Sequence, residues 1–248
     1  MPQTWTSDDT DGIERLLIQY GTSMAYPPST MGAHVSAVPN AQTLRSTPLE
    51  TRFNAAIFGV LGYELDFTRL SFFDRAVIRR QIAFYKEHRQ LLQFGRFYRL
   101  KSPFGNNDCL WMTVSEDGRE AVVGLYQILA RPNGPAERIP VAGLAKAPAY
   151  RIVNRRQYHN LRAFGDLARH ALPIRLPAKG VLFHLLANRY LMPAETEDLT
   201  VRGDVLNALG FIPKQRFIGS GYNADIRLMG DFGSRIYHVK ALERTSTR

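Results

Sequence analysis

The sequence of 248 residues predicts an α/β part followed, from about residue 103, by an all-β part. Strand and helix patterns alternate through the first hundred residues, which is typical of parallel βα units. Beyond residue 103, short strand patterns follow one another with turn signals between them, which is typical of antiparallel sheets. A hydrophobic content of 45% excludes an intrinsically disordered chain, because disordered chains lack the apolar surface that drives collapse.

Net charge, hydropathy and cysteine content exclude several classes of protein. The formal net charge is +10, but the basic residues are spread thinly along the chain, so we expect no nucleic-acid partner. No apolar run reaches the roughly 18 residues that span a bilayer. The first residues also lack the pattern of a signal peptide, so we expect a cytoplasmic protein without membrane contact. Cys109 is the only cysteine, which excludes an intrachain disulfide and predicts a small buried side chain.

The first predicted helix covers residues 12–20, where apolar side chains recur at helical spacing. Asp11, followed by Glu14 three positions later, has the spacing of a capping box. Two consecutive prolines at 27 and 28 exclude a helix interior, so we predict a short strand at 22–26 and then a loop.

Three more elements complete the α/β part. Residues 47–59 predict a helix, since Thr-Pro opens the segment and an acidic residue lies in its first turn. Residues 62–66 alternate like a strand. Residues 74–93 show one apolar stripe at helical spacing and predict a long helix, which Asp74 can cap.

The all-β part begins with the strongest hairpin signal in the chain. The sequence Asp117-Gly118 lies between strand patterns at 110–114 and 121–128, and this dipeptide favours the tight turn of a hairpin. These patterns predict an antiparallel β domain, which we interpret as a β-sandwich. Further strands are predicted at 139–144, 149–153, 216–219, 225–229 and 235–242, with a turn at 133–135.

Two domains are therefore predicted, residues 1–102 and residues 103–248. Residues 155–199 are ambiguous, and we treat them as a possible insertion. Within them, residues 181–191 are compatible with a helix or with a buried strand, because periodicity does not distinguish the two in a short apolar run.

The acidic cluster at residues 7–11 is the best candidate for chemistry. It follows the strand-like segment 3–6 and precedes a helix, and carboxylates at the carboxyl ends of barrel strands form the active sites of (β/α)8 enzymes. Capping needs one carboxylate and Asp11 has the better spacing, which leaves Asp8 and Asp9 either for a site or as surface charge. Trp5 is either a platform for stacking a sugar or a core residue.

Other candidates are weaker. Glu64 and Asp66 end a predicted strand and are the rivals for a second carboxylate. The six histidines show no spacing typical of zinc ligands, so no metal is expected, and His34 is interpreted as structural. There is also no glycine-rich phosphate loop.

Long segments of the chain resemble the bacterial α-galactosidases of glycoside hydrolase family 36. The similar segments are residues 2–11 (PQTWTSDDTD), 13–16 (IERL), 18–23 (IQYGTS), 29–40 (STMGAHVSAVPN), 47–52 (TPLETR), 62–66 (GYELD), 81–86 (QIAFYK) and 230–235 (GDFGSR). They are densest over residues 1–103. Departures from the family pattern are Ala41, where a histidine is usual, Leu44 and Phe53, and the run 57–61.

The resemblance implies the C-terminal part of a (β/α)8 TIM barrel followed by a C-terminal antiparallel β domain. It implies retaining hydrolysis of terminal α-galactosides such as melibiose and raffinose, no cofactor, and a homo-oligomer, usually a tetramer, for the whole enzyme. The general acid/base of the family is the first Asp of the Trp-Thr-Ser-Asp-Asp motif, which corresponds to Asp8 here. Asp9 and Trp5 are then expected to bind substrate.

The family nucleophile lies in a Lys-Trp-Asp motif, which this sequence does not contain. Retaining hydrolysis needs two carboxyl groups about 5–5.5 Å apart, one as nucleophile and one as acid and then base. We therefore expect a C-terminal fragment of such an enzyme that is inactive alone. The alternative is a non-catalytic β-sandwich module that binds carbohydrate or a protein partner.

Overall fold

A computed structural model of the chain describes residues 3–131, 137–168, 176–214 and 229–243. The first part holds three helices and two strands in alternation. In chain order these are α1 (Glu14–Thr22), β1 (Gly32–Ser36), α2 (Leu49–Ala56), β2 (Val60–Glu64) and α3 (Phe72–Phe94).

Strands β1 and β2 pair in parallel, from Gly32 opposite Val60 to Ser36 opposite Glu64. Thr4 forms a further parallel bridge with Met31, so three chain segments run side by side in one direction. Parallel strands that alternate with helices are confirmed in this part, although β1 does not lie where the sequence predicted a strand. The carboxyl ends of the three segments consequently meet at one edge.

The strand predicted at residues 22–26 is wrong. Helix α1 continues to Thr22, turns follow it, and a short 3₁₀ helix at Pro28–Thr30 leads directly into β1. Residues 32–36 have a weak strand pattern, but Ala33 and Val35 are buried in the core and pairing with β2 forms the strand. Tertiary pairing thus outweighs local propensity here.

Helix α3 begins two residues before its predicted start. Ser71 caps it, because its hydroxyl oxygen accepts a hydrogen bond from the Asp74 N–H at 3.0 Å and donates to the Asp74 carboxylate at 2.6 Å. Asp74 therefore lies in the first turn and binds the capping hydroxyl instead of being the cap itself.

Six antiparallel strands form one sheet in the order β3-β4-β5-β10-β6-β9. They are β3 (Arg96–Lys101), β4 (Asp108–Val114), β5 (Glu120–Gln127), β6 (Ala149–Asn154), β9 (Asp198–Arg202) and β10 (Ser234–Ala241). The predicted hairpin is confirmed, and Gly118 in its turn has a φ of +68° that favours glycine. The central strand β10 pairs with β5 and β6.

The two faces of the sheet contribute side chains to two separate hydrophobic cores. One face of β4 and β5 includes Cys109 and Trp111 and packs against α1, α2 and β1. The other face includes Leu110 and Met112 and packs against residues 139–144 and α5 (Gly203–Leu209). Cys109 is buried as predicted, and burial raises the pKa of its thiol to about 12.

The strand predicted at residues 139–144 is wrong. Only Ile139 forms a bridge, with Phe211, and the segment crosses the sheet as a loop that buries Val141 and Leu144. Pro140 has no N–H to donate, and Gly143 has a φ of +75°, so this backbone does not continue a ladder.

The described residues between 158 and 193 form a small unit with its own core beside the sheet, whereas the end of the predicted insertion, residues 198–199, belongs to β9. Strands β7 (Tyr158–His159) and β8 (Met192–Pro193) pair, a 3₁₀ helix covers Leu161–Leu167, and α4 covers Val181–Arg189. The ambiguous segment at 181–191 is thus a helix up to Arg189.

Within the described residues, the antiparallel strands outside the β7–β8 pair belong to a single sheet, so a second facing sheet stays a prediction. The turn predicted at 133–135, the strand predicted at 216–219 and most of the strand at 225–229 lie outside the described residues. No helix in the described ranges combines the length and apolar character needed to cross a membrane.

Candidate active site

The edge formed by the carboxyl ends of the three parallel segments carries the sequence-predicted carboxylates. Asp8 follows the segment that pairs at Thr4, and Glu64 ends β2 opposite Ser36 of β1. The structure therefore brings Asp8, Asp9 and Glu64 to the same end of the parallel segments. This is the end at which α/β folds place their catalytic groups.

Asp11 has a structural role, as the spacing predicts. It is buried, and its Oδ1 accepts hydrogen bonds from the Ile13 N–H at 2.9 Å and the Glu14 N–H at 3.1 Å, which caps α1. Its carboxylate also accepts from Arg45 at 2.5 Å and from the Thr43 hydroxyl at 3.1 Å. Glu14 pairs with Arg45 instead of closing the capping box.

Asp9 and Asp8 differ from Asp11 in how their carboxylates are used. One oxygen of Asp9 accepts a hydrogen bond from the Asp11 N–H at 2.8 Å, while the Asp9 N–H donates to the Ser7 hydroxyl at 3.1 Å. Asp8 is exposed, and its carboxylate has no hydrogen bond or ion pair to any of the residues that the structure describes. The helix cap and its supporting turn thus use two acids of the cluster and leave Asp8 available for chemistry.

Trp5 lies on the open face of the parallel segments with 69% of its surface exposed. Its ring contacts His34 of β1 edge to face, with centroids 5.6 Å apart. Gly62 of β2 makes room for this arrangement, since a Cβ there would lie 2.4 Å from the His34 ring. Trp5 is therefore a surface residue, and His34 supports its ring.

Two buried arginines, Arg15 and Arg52, hold the strand ends in place and are not among the candidates predicted from the sequence. Arg15 donates to the Gly32 carbonyl at 2.8 Å and to the Ser7 carbonyl at 3.4 Å, directly before Asp8. Arg52 donates to the Ser36 carbonyl at the end of β1. Burial lowers the pKa of both guanidinium groups to about 10, which still leaves them charged near neutral pH.

The one feature of the sequence that indicates such buried arginines is their position among apolar residues of a helix. Arg15 lies between Ile13 and Leu16 in α1, and Gln19 one turn later accepts its Nε–H at 3.3 Å. A charged residue within an apolar face is typical of a buried hydrogen-bonded group. Its partners lie on other elements, so the sequence alone does not identify them.

The two rivals for a second carboxylate have different environments. Asp66 is exposed and accepts hydrogen bonds from the Thr68 hydroxyl at 2.5 Å and the Thr68 N–H at 3.0 Å, which lower the pKa of Asp66. It therefore closes a surface turn. Glu64 is exposed at the end of β2, and none of the described residues binds its carboxylate.

Two family profiles match the chain. Residues 1–95 match Melibiase, and residues 108–239 match the Glycosyl hydrolase family 36 C-terminal domain. The second match alone covers more than half of the 248 residues.

Similar proteins of known name are α-galactosidases. Alpha-galactosidase AgaA of Geobacillus stearothermophilus is 52% identical over 152 residues, which are 61% of this chain and 21% of that protein. Alpha-galactosidase 1 of Pediococcus pentosaceus is 49% identical over 144 residues, which are 58% of this chain and 20% of that protein.

Solved structures agree with this similarity over almost the whole chain. The crystal structure of a variant of AgaA in complex with 1-deoxygalactonojirimycin has a TM-score of 0.72 at 37% identity, covering 98% of this chain and 26% of that one. The α-galactosidase from Lactobacillus brevis has a TM-score of 0.72 at 36% identity, covering 99% and 27%. Variants of AgaA are also known in complex with raffinose and with stachyose. The chain thus spans about a fifth of these curated relatives and about a quarter of the solved ones.

Proposed function

The chain belongs to glycoside hydrolase family 36, and we propose that it supplies the acid/base carboxyl of a retaining α-galactosidase whose nucleophile this sequence does not contain. Residues 1–102 are then the last units of the (β/α)8 barrel, and residues 103–248 are the C-terminal β domain. The substrates are α-galactoside oligosaccharides of the raffinose type, and the whole enzyme is a homo-oligomer.

The observation that carries this proposal is the free carboxylate of Asp8. Among the described residues it has no hydrogen-bond partner, although it follows a strand in a cluster whose other acids are held by backbone N–H groups. Arg15 donates to the carbonyl of Ser7 directly before Asp8, and the N–H of Asp9 directly after it donates to the Ser7 hydroxyl, so the backbone is held on both sides of Asp8. A catalytic group needs this combination of a fixed backbone and a free functional group.

Trp5 and Asp9 are proposed to bind substrate. The exposed Trp5 ring offers an apolar face on which a sugar can stack, and its contact with His34 limits its rotation. Asp9 uses Oδ1 for the Asp11 N–H, while its Oδ2 has no hydrogen bond to the described part of the chain and is available to a sugar hydroxyl.

The proposed chemistry requires a second carboxyl group. Asp8 protonates the glycosidic oxygen of the leaving sugar while a nucleophilic carboxylate attacks the anomeric carbon, and Asp8 then removes a proton from the water that releases galactose. We propose that the nucleophile lies in the barrel segments of the whole enzyme, so the isolated chain does not hydrolyse α-galactosides. Glu64 is the remaining in-chain carboxylate at the same edge.

A chimera tests this assignment. The matching C-terminal quarter of AgaA is replaced by this chain, and hydrolysis of raffinose and of an aryl α-galactoside is measured. We expect activity from the chimera and none from the isolated chain. Asp8→Asn is expected to lower kcat for raffinose by about 10²–10⁴-fold, because it removes the general acid.

A comparison of two substrates with different leaving groups distinguishes acid catalysis by Asp8 from a structural role of Asp8. An aryl leaving group needs little protonation, so Asp8→Asn is expected to lower kcat/KM for the aryl galactoside less than kcat/KM for raffinose. The comparison uses kcat/KM because hydrolysis of the galactosyl-enzyme, in which Asp8 acts as base, is common to both substrates. Asp166→Asn is the matched control on an exposed acid of the C-terminal part and is expected to leave both rates unchanged. Equal losses on both substrates, or hydrolysis by the isolated chain that Asp8→Asn abolishes, would contradict the proposal.

A further inference from the structure

Three side chains from distant parts of the sequence form a cluster of metal-binding groups. His88 lies on α3, Glu120 begins β5 and His238 lies on β10, and one ligand atom of each is within 4.8 Å of the other two. Nε2 of His238 is 2.7 Å from Oε1 of Glu120, and Nδ1 of His88 is 3.9 Å from the same oxygen. The cluster belongs neither to the parallel strand ends nor to the acids around Asp8.

These distances are near those between the ligand atoms of a tetrahedral zinc site. Zinc binds nitrogen and oxygen at about 2.0–2.2 Å, so two ligand atoms on a tetrahedron are ~3.3 Å apart. The separations of 2.7 Å and 3.9 Å lie on either side of this value. Each of these two separations differs from the tetrahedral value by about 0.6 Å, and all three pairs lie within 4.8 Å, so rotations of the side chains are needed to place both histidines and Glu120 around one ion.

The three residues of the cluster lie on regular secondary structure. His238 is opposite Val122 in the β5–β10 ladder, and Glu120 is two residues before Val122, so both side chains leave the sheet on the same face. The ring of Phe84, one helical turn before His88, packs against the imidazole with centroids 4.4 Å apart. The three donors are therefore held by regular secondary structure, as a specific site requires.

The cluster is partly open to solvent. His88 is buried, with an exposure of 7%, while the side chains of His238 and Glu120 are 21% and 35% exposed. An ion can enter from solvent, and a water molecule can occupy a fourth position. Oε1 of the exposed Glu87 is 3.9 Å from the second nitrogen of His88, where it can orient the ring as an outer-sphere partner.

We propose that His88, Glu120 and His238 bind a zinc ion that links helix α3 to the six-stranded sheet. Two imidazoles and one carboxylate suit zinc, whereas magnesium and calcium prefer sites made of oxygen atoms alone. The ion connects the α/β part to the antiparallel part of the chain. Its role is structural and is independent of the glycosidase assignment.

Zinc titration of the 248-residue chain without a histidine tag tests the site. We expect one equivalent of zinc to remain bound through gel filtration and Tm to rise by about 5 °C or more at 100 times the Kd. His238→Gln and Glu120→Gln are expected to lose both effects. His184→Gln changes an exposed histidine outside the cluster and is expected to retain them.

Two further measurements keep the test decisive if a variant folds poorly. Lys240 lies next to the cluster, and Lys240→Met removes a repelling positive charge from an exposed position, so it is expected to tighten zinc binding without loss of structure. Magnesium chloride is expected to leave Tm unchanged. Equal zinc binding by wild-type protein and folded His238→Gln, an equal shift with magnesium, or no zinc binding by the folded wild type would overturn the proposal.

Discussion

The hydroxyl group of one buried tyrosine links the two parts of the chain by hydrogen bonds. Tyr126 on β5 accepts a hydrogen bond from Nε1 of Trp111 at 2.6 Å and donates one to the Asn54 carbonyl of α2 at 2.6 Å. Gly124 lies between the two rings, and a Cβ there would be 2.7 Å from the Tyr126 hydroxyl. Glycine is therefore required at 124, and the bonded pair satisfies polar atoms that burial would otherwise leave unpaired.

His159 is expected to make stability depend on pH. Burial, together with the positive charge of Arg235, lowers the pKa of His159 to about 4, so the folded protein keeps this ring neutral. The unfolded chain binds the proton below about pH 6.5. The free energy of unfolding is therefore expected to fall as pH decreases from about 6.5 to about 4, by up to about 3 kcal/mol, as measured by urea unfolding.

A matched pair of variants isolates this contribution. His159→Phe keeps a ring against Phe164, whose centroid is 5.8 Å away, and removes the titration, so its stability is expected to depend less on pH. His184→Phe changes an exposed histidine and is expected to keep the wild-type pH dependence. A wild-type slope in His159→Phe would exclude His159 as its source.

At the scale of elements, a buried ion pair ties α2 to the segment after β6. Glu50 pairs with Arg155, and their side chains are 14% and 5% exposed. Glu50 also accepts from Nε2 of Gln81 at 2.9 Å, and Arg155 lies over the Phe53 ring at 4.9 Å. Glu50→Gln is expected to destabilise the chain by about 3–5 kcal/mol in urea unfolding, because it leaves a buried guanidinium without its counter-ion.

An exposed ion pair is the control for the buried pair between Glu50 and Arg155. Asp198 pairs with Arg151 at 2.6 Å on the surface between β9 and β6. Asp198→Asn is expected to leave the unfolding midpoint almost unchanged, because water screens exposed pairs. Similar losses in both variants would show that the Glu50 effect is not due to burial of its partner.

Elements with strong local signals could be predicted from the sequence. The periodicity of α3 and the Asp117-Gly118 turn of the β4–β5 hairpin are local patterns, and both elements formed as expected. The errors at 22–26 and 139–144 arose where tertiary contacts decide, since β1 forms by pairing with β2 and residues 139–144 are a buried loop. The same limit applies to sites, because Asp8 belongs to a continuous motif whereas Arg15, Arg52 and the His88 cluster need partners from distant segments.

At the scale of the whole molecule, the two parts of the chain differ in how completely their apolar faces are covered. The antiparallel sheet has apolar cores on both faces, whereas the parallel segments are packed on one face and open on the other. Trp5 is 69% exposed on that open face, and within the described residues β2 has no strand on its outer edge. Unpaired edges and exposed apolar side chains favour association with other chains.

We therefore expect the isolated chain to self-associate through this open face, which the rest of the barrel covers in the proposed enzyme. Light scattering coupled to gel filtration is expected to show oligomers whose mass rises with concentration. Trp5→Lys is expected to shift the distribution toward monomer, because it places a charge on the associating surface. Leu129→Lys makes the same change at an apolar side chain that is 54% exposed after β5, and it is expected to leave the distribution unchanged. A monodisperse monomer at all concentrations, or equal effects of the two lysines, would show that the open face does not drive association and would weaken its assignment as a barrel interior.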